Sequence, residues 1–247
     1  MKETERRRNI HLQLSAMNPA PARQSLPTGF AALDTALGSG GFPRGAITEI
    51  FGPASCGKTA LVLQAIAHGQ RSGATAAWID AEHVFDASFA ARLGVDVGRM
   101  PVTSPESAEE ALEMARKFAS SGAVDLVAID SAAALVPRLE LEAALGQSGA
   151  GLQSRVLSSE LRRLSQAAAR SGTAIILLNQ TRYRPGTPGE GETSSGGASL
   201  KLHAAVRIAL SASGRRVRVR VMKNKLGAPF AEAHLEWRRD RGFTEPA

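Results

Sequence analysis

The sequence predicts an α/β fold with a mostly parallel central sheet and helices on both faces. Three observations lead there. Short apolar runs suited to strands alternate with helical stripes from about residue 46 to residue 178. One of those runs, Thr173-Ala174-Ile175-Ile176-Leu177-Leu178, is nearly continuous, the pattern of a parallel strand covered on both faces. Past residue 200 the apolar segments Val206–Leu210, Val217–Met222 and Ala233–Trp237 follow one another through short connections, which predicts antiparallel strands at one sheet edge.

Taken in order, residues 1–26 read as an N-terminal arm and a candidate oligomerisation segment. Asn18-Pro19-Ala20-Pro21 interrupts it, and Pro27 opens a core expected to span 27–247. Leu33–Leu37 is a brief helical turn ended by Gly38-Ser39-Gly40-Gly41. Ala46–Phe51 is a strand, Ala60–Ala67 a buried helix and Ala76–Asp80 a second strand. Ser104 and Pro105 suit the N-cap and first position of the next helix. Its apolar face carries Ala108, Ala111, Leu112, Ala115, Phe118 and Ala119, and Gly122 closes it. Val124–Asp130 is the third strand. Leu157, Leu161, Leu164 and Ala168 form another helical stripe before the Thr173–Leu178 strand. Pro185–Gly197, rich in Gly, Ser, Thr and Glu, is expected to be a mobile loop.

Composition narrows the function classes. The chain has 247 residues, 43% of them hydrophobic but only 4% aromatic, so aliphatic side chains and alanine must fill the core. No apolar run reaches the roughly 18 residues of a membrane span. The charged start, Met1 to Arg8, lacks the apolar region of a secretory signal. A single cysteine cannot form an internal disulfide, which suits a cytoplasmic location. The net charge of +7 fits a polyanionic partner such as nucleic acid, and equally an ordinary basic enzyme.

The chemistry is written most clearly in Gly52-Pro53-Ala54-Ser55-Cys56-Gly57-Lys58-Thr59, the G-x-x-x-x-G-K-[ST] pattern of a phosphate-binding loop between a strand and a helix. The glycines let backbone N–H groups turn inward around phosphate oxygens. The helix N-terminus adds partial positive charge. Lys58 can neutralise the β- and γ-phosphates of ATP, and the Thr59 hydroxyl can ligate Mg²⁺. The same helix N-terminus and Lys58 are expected to favour the thiolate of Cys56.

Asp130 ends an apolar strand, where a carboxylate is costly without a cation; a second ligand for Mg²⁺ is the reading adopted. Glu82 lies just past the Trp78–Asp80 strand, at the strand end where ligands of α/β folds sit, and can polarise the water that attacks the γ-phosphate. Its neighbour His83 reads as structural, since phosphoryl transfer needs no histidine. Asn179-Gln180 either senses the γ-phosphate or merely terminates a strand. In Arg216–Val221 arginines and valines alternate on opposite faces of a strand. The arginine face suits phosphates or a charged edge that blocks aggregation.

Together these segments resemble the RecA recombinase family. The matching stretches are Gly52–Thr59, Ile79–His83, Ala128–Ser131, Leu178–Gln180, Ser195–Gly197 and Val221–Phe230, in the family's order. The resemblance runs from about Thr28 to Phe243. It implies that Glu82 is the catalytic carboxylate, that Gln180 couples ATP to DNA and that Phe89 stacks on adenine. Lys223 and Lys225 would reach the phosphates of a neighbouring subunit, with Lys58 acting in its own. Two loops, 138–151 and 181–197, would face single-stranded DNA, with Arg155, Arg182, Arg184, Gly196 and Gly197 at contact positions. Expected ligands are ATP and Mg²⁺. Expected partners are single-stranded DNA, head-to-tail copies of the chain and a candidate repair protein. Typical members continue into a C-terminal domain with an acidic tail, so the sequence reads as a short form. Full recombinase and compact accessory paralogue are both open at this point.

Overall fold

The structure, a computed structural model, describes residues 24–143, 151–183, 192–194 and 197–246. The elements in chain order are β1 (Ser25–Leu26), α1 (Ala31–Leu37), β2 (Phe42–Pro43), β3 (Ile47–Gly52), α2 (Lys58–Arg71), β4 (Ala76–Asp80) and α3 (Ala87–Arg92). They continue with β5 (Val102–Thr103), α4 (Ala108–Ser120), β6 (Leu126–Asp130), α5 (Arg138–Leu141), α6 (Leu152–Ser171) and β7 (Ala174–Tyr183). The last are β8 (Glu192–Ser194), α7 (Gly197–His203), β9 (Val206–Ser213), β10 (Arg216–Asn224), β11 (Glu232–Arg238) and β12 (Gly242–Thr244).

The main sheet has the order β12-β11-β10-β9-β3-β7-β6-β4-β5. Strands β5, β4, β6, β7, β3 and β9 run parallel, and β10, β11 and β12 turn antiparallel. The class expected from the sequence is therefore present, with one correction. Val206–Leu210, expected to be antiparallel, runs parallel to β3, and the change of direction comes one strand later. Strand alternation divides the core in two. Ile50, Ala128, Ile176 and Leu178 face α2, with Leu61 and Leu63 from that helix. Ile47, Val127, Ile129, Ile175 and Leu177 face α4 and α6. Both faces are apolar because both are covered, which is why the central strands carry little polar alternation.

Local signals fix the helix ends. The N-cap of α4 is Ser107, whose side chain accepts a 3.3 Å hydrogen bond from Glu110 N, while the Glu110 carboxylate accepts one from Glu106 N. These two bonds satisfy backbone donors at the start of α4 and displace the start expected at Ser104-Pro105. The α4 stripe is buried as expected except for Phe118, which is partly buried against the same cluster. Helix α6 stops at Gly172, left-handed at φ 76°, whose N–H returns to Ala168 O. The expected arm lies largely outside the described residues, but Ser25–Leu26 pairs with β2. Most of Pro185–Gly197, expected to be a mobile loop, lies outside the described residues, and only parts of the two expected DNA-facing loops are described. Residues 138–141 form a helical turn, and Thr181–Tyr183 pairs antiparallel with Glu192–Ser194. Among the described residues no helix is long and apolar enough to cross a membrane.

Leu161 is fully buried in the layer between α6 and α4. Leu161→Ala is expected to cost about 2–5 kcal/mol, by lost transfer energy and the cavity left behind. The check is a denaturant midpoint lowered by that energy divided by the m-value, at unchanged slope.

Candidate functional site

The loop from Gly52 to Gly57 joins β3 to α2. Gly57 is left-handed at φ 94° and forms the N-cap of α2, with no side chain occupying that cap. A Cβ on Gly57 would lie 2.3 Å from the Phe243 ring, so glycine is required there for both conformation and space. The first-turn N–H groups of α2 thus meet a cap without a competing side-chain acceptor.

Lys58 begins α2 and is buried. Its Nζ donates to Gly52 O at 3.1 Å and Pro53 O at 2.7 Å, folding the side chain back over the loop. The Thr59 hydroxyl donates to Asp130 Oδ2 at 2.7 Å. Asp130 is pushed up to about 6, chiefly by burial, with Glu82 and Asp80 adding to the rise and the Thr59 hydrogen bond opposing it. A buried carboxylate beside a hydroxyl, facing two other acids, is a fitting environment for a divalent cation. Thr59 and Asp130 therefore fit Mg²⁺.

Glu82 is positioned by backbone bonds from the neighbouring strand. Asp130 O accepts from Ala81 N at 2.7 Å and Glu82 N at 3.1 Å. Asp80, also buried, accepts from Val84 N and Phe85 N and so turns the chain after Glu82. The Glu82 carboxylate accepts hydrogen bonds from Ser131 Oγ and, at 3.0 Å, from Gln180 Nε2. Gln180 stands opposite Gly52 in the β3–β7 register. It is not at a strand end, as the sequence suggested: β7 continues to Tyr183 because β8 pairs with it. His83 is exposed and left-handed at φ 56°, in keeping with a structural part in the turn.

A cavity of about 320 Å³ opens over the loop, lined by Ser55, Cys56, Gly57, Lys58, Thr59 and Ala60. Phe89 enters it from α3. The opposite wall was missed in the sequence: Val217, Trp237 and Phe243, from β10, β11 and β12, line the same space. Trp237 and Phe243 meet edge to face at 5.1 Å. Their signal was an apolar residue on the inner face of each edge strand, which does not say which loop that face meets.

The expectation for Cys56 is overturned. The residue is 3% exposed, and burial pushes its thiol up, outweighing the opposing effect of Lys58. It is a packed thiol beneath the loop rather than a reactive thiolate.

The remaining expected residues lie apart from this cluster. Lys223, at the far end of β10, is level with Arg207, which is level with Glu49 near the start of β3. Its Nζ donates to Lys201 O at 2.6 Å and Leu202 O at 3.4 Å; Lys225 also donates to Leu202 O. Burial and the neighbouring Lys225 and Arg207 lower the Lys223 pKa. Lys223 thus lies level with the start of β3, at the strand end opposite the phosphate loop, and Lys225 follows it in sequence. Arg155 is exposed in the first turn of α6. Arg182 lies on β7 opposite Thr193, and Gly197 begins α7. Arg184 and Gly196 lie outside the described residues, as does much of each expected DNA-facing loop.

Sequence reasoning also missed Glu49 and Arg207. Glu49 is fully buried on β3, ion-paired to Arg207 and hydrogen-bonded by Asn179 Nδ2 at 2.9 Å.

Residues 8–244 match the family described as the RecA N-terminal domain. The chain is 49% identical over 230 residues to the protein RecA of Thermus thermophilus, covering 88% of this chain and 68% of that protein. It is 46% identical over 227 residues to the protein RecA of Frankia alni, covering 87% and 66% respectively. A crystal structure of the RadB recombinase superposes with a TM-score of 0.71 over 90% of this chain and all of that one; at 21% identity it shows the shared fold alone.

Asp130 yields a counterintuitive expectation. Its folded-state pKa lies above the ordinary carboxylate value, so ionisation destabilises the ligand-free fold as pH rises through about 6. Asp130→Asn keeps an acceptor for Thr59 and removes that charge. Without nucleotide or Mg²⁺ at pH 8, the variant is expected to be more stable by on the order of 1–3 kcal/mol. Added Mg²⁺ and ATP should then stabilise wild type far more than the variant. Thermal melts in the four conditions test both halves.

Proposed function

Because the chain belongs to the RecA family, we propose that it is an ATP-dependent single-stranded DNA-binding protein of recombination and repair, hydrolysing ATP at interfaces between head-to-tail subunits. The observation that carries this reading is the Gln180–Glu82 hydrogen bond, at the point where β7 leaves the phosphate loop for the expected DNA-facing segment.

Phosphates would rest on the first-turn N–H groups of α2, with Lys58 released from Gly52 and Pro53 to meet them. Mg²⁺ held by Thr59 and Asp130 would neutralise charge on the β- and γ-phosphates. Phe89 and the Trp237–Phe243 wall would enclose the base. Glu82, fixed by Ser131 and Gln180, would orient the attacking water and accept its proton. Lys223 and Lys225 lie at the strand end opposite their own loop, which supports their acting on a neighbour's phosphates as cationic fingers do. Such an arrangement is heterologous and leads to a filament or ring. Arg155 and the arginines beyond Gln180 would meet the DNA backbone without reading sequence.

ATP turnover with and without single-stranded DNA, across a salt series, tests this reading. Strong stimulation that fades with salt is the expected result. ATP binding with no response to DNA would sink it and favour a compact accessory protein acting through a protein partner. Glu82→Gln is expected to retain ATP binding and lower turnover at least about 10²-fold. Near-normal turnover in that variant would remove Glu82 from the mechanism.

A further inference from the structure

Behind the phosphate loop, a chain of polar contacts crosses the sheet from β8 to Glu82. The Arg207 guanidinium lies 4.5 Å above the Phe51 ring, donates from Nε to Glu49, and donates from Nη2 to Ser194 Oγ at 3.1 Å. Glu49 accepts from Asn179 Nδ2, and Asn179 Oδ1 accepts from Gln180 N at 2.9 Å. Gln180 donates to Glu82 at 3.0 Å. Every link joins different elements or adjacent residues of β7, and Ser194 itself pairs with Thr181, next to Gln180. Glu49 is fully buried, Ser194 is 4% exposed and the Arg207 side chain is 15% exposed.

A buried ion pair is poor evidence of stability, because desolvation offsets much of the attraction, while an arginine fork held by several partners fixes geometry. Here the fork has a carboxylate, a hydroxyl on β8 and an aromatic face as partners. Moving β8 must either break the Arg207–Ser194 bond or drag the guanidinium. Dragging it disturbs the carboxylate that holds Asn179, the residue before Gln180. Coupling of this kind requires an element with two arrangements that both sites bias. The candidate for that element is the β7–β8 pairing of Thr181–Tyr183 with Glu192–Ser194.

We propose that Arg207 and Glu49 are positioning residues that tie the β7–β8 ribbon to Gln180, so that DNA held beyond the ribbon sets the placement of Glu82. This rests on the functional reading above. Neither residue touches the reacting atoms, and both act through Asn179 and Gln180. Lys223 senses the charges of both Arg207 and Glu49, which places the unit beside the lysines assigned to the subunit interface as well.

The test is ATP turnover by the full chain with and without a thymidine oligonucleotide, for wild type, Arg207→Lys and Ser194→Ala. Arg207→Lys keeps the charge opposite Glu49 and loses the fork that reaches Ser194. Ser194→Ala leaves the ion pair untouched. Both are expected to keep the KM for ATP within about twofold, while the ratio of DNA-stimulated to basal kcat falls about five- to tenfold. A purely structural pair would lower thermal stability and leave that ratio within about twofold of wild type, which would overturn the proposal. If Arg207→Lys does not fold, Ser194→Ala alone decides the question. A wild type that ignores DNA overturns the functional reading and this inference with it. A stimulated wild type with unaltered variants overturns the inference alone.

Discussion

Backbone pairing in the parallel half of the sheet aligns Gly52 with Gln180 and Asp80 with Asp130. Thr59, Glu82, Asp130 and Gln180 come together through those two alignments. A parallel ladder has evenly spaced bonds and a side-chain period of two, so a one-residue slip would turn Asp130 from Thr59 toward the opposite face. The apolar layers on both sides forbid such a slip, because it would exchange the side chains that face α2 with those that face α4 and α6. Packing by Ile, Leu, Val and Ala thereby becomes accuracy at the strand ends, where the polar groups gather.

Electrostatic balance at the site follows from this arrangement. Asp80, Asp130 and Glu82 come together in a partly desolvated space, and each has a different means of tolerating it. Asp80 accepts two backbone N–H bonds. Glu82 accepts from a hydroxyl and an amide. Asp130 has the Thr59 hydroxyl, and its pKa rises. The acid left with an unresolved burden is the one suited to a cation. Lys58 is likewise satisfied within the loop, its ammonium donating to the Gly52 and Pro53 carbonyls.

Much of this was legible in the sequence. The loop Gly52–Thr59, Asp130 and Glu82 could be named because local spacing and strand-end position carry their chemistry. The Ser107 cap could not be separated from Ser104 by pattern, since the deciding bonds depend on the path of the backbone before α4. Cys56 was misjudged because sequence shows its neighbour Lys58 but not its lack of solvent. Polar Asn179–Tyr183 resembles the end of a strand until β8 is seen to continue the ladder. Glu49 and Arg207 were invisible for a simpler reason. They are 158 positions apart, and each looks like an ordinary charge in a strand until the β3–β9 pairing brings them face to face.

The Phe243 ring packs against Gly57, and Gln64 of α2 holds the backbone of Phe243 through bonds at both its N–H and its carbonyl. The floor and the far wall of one cavity thus come from opposite ends of the described chain. On a ribosome, the phosphate loop would emerge long before the strand that encloses it. The wall that encloses this cavity is therefore complete only in a chain whose synthesis has passed Phe243.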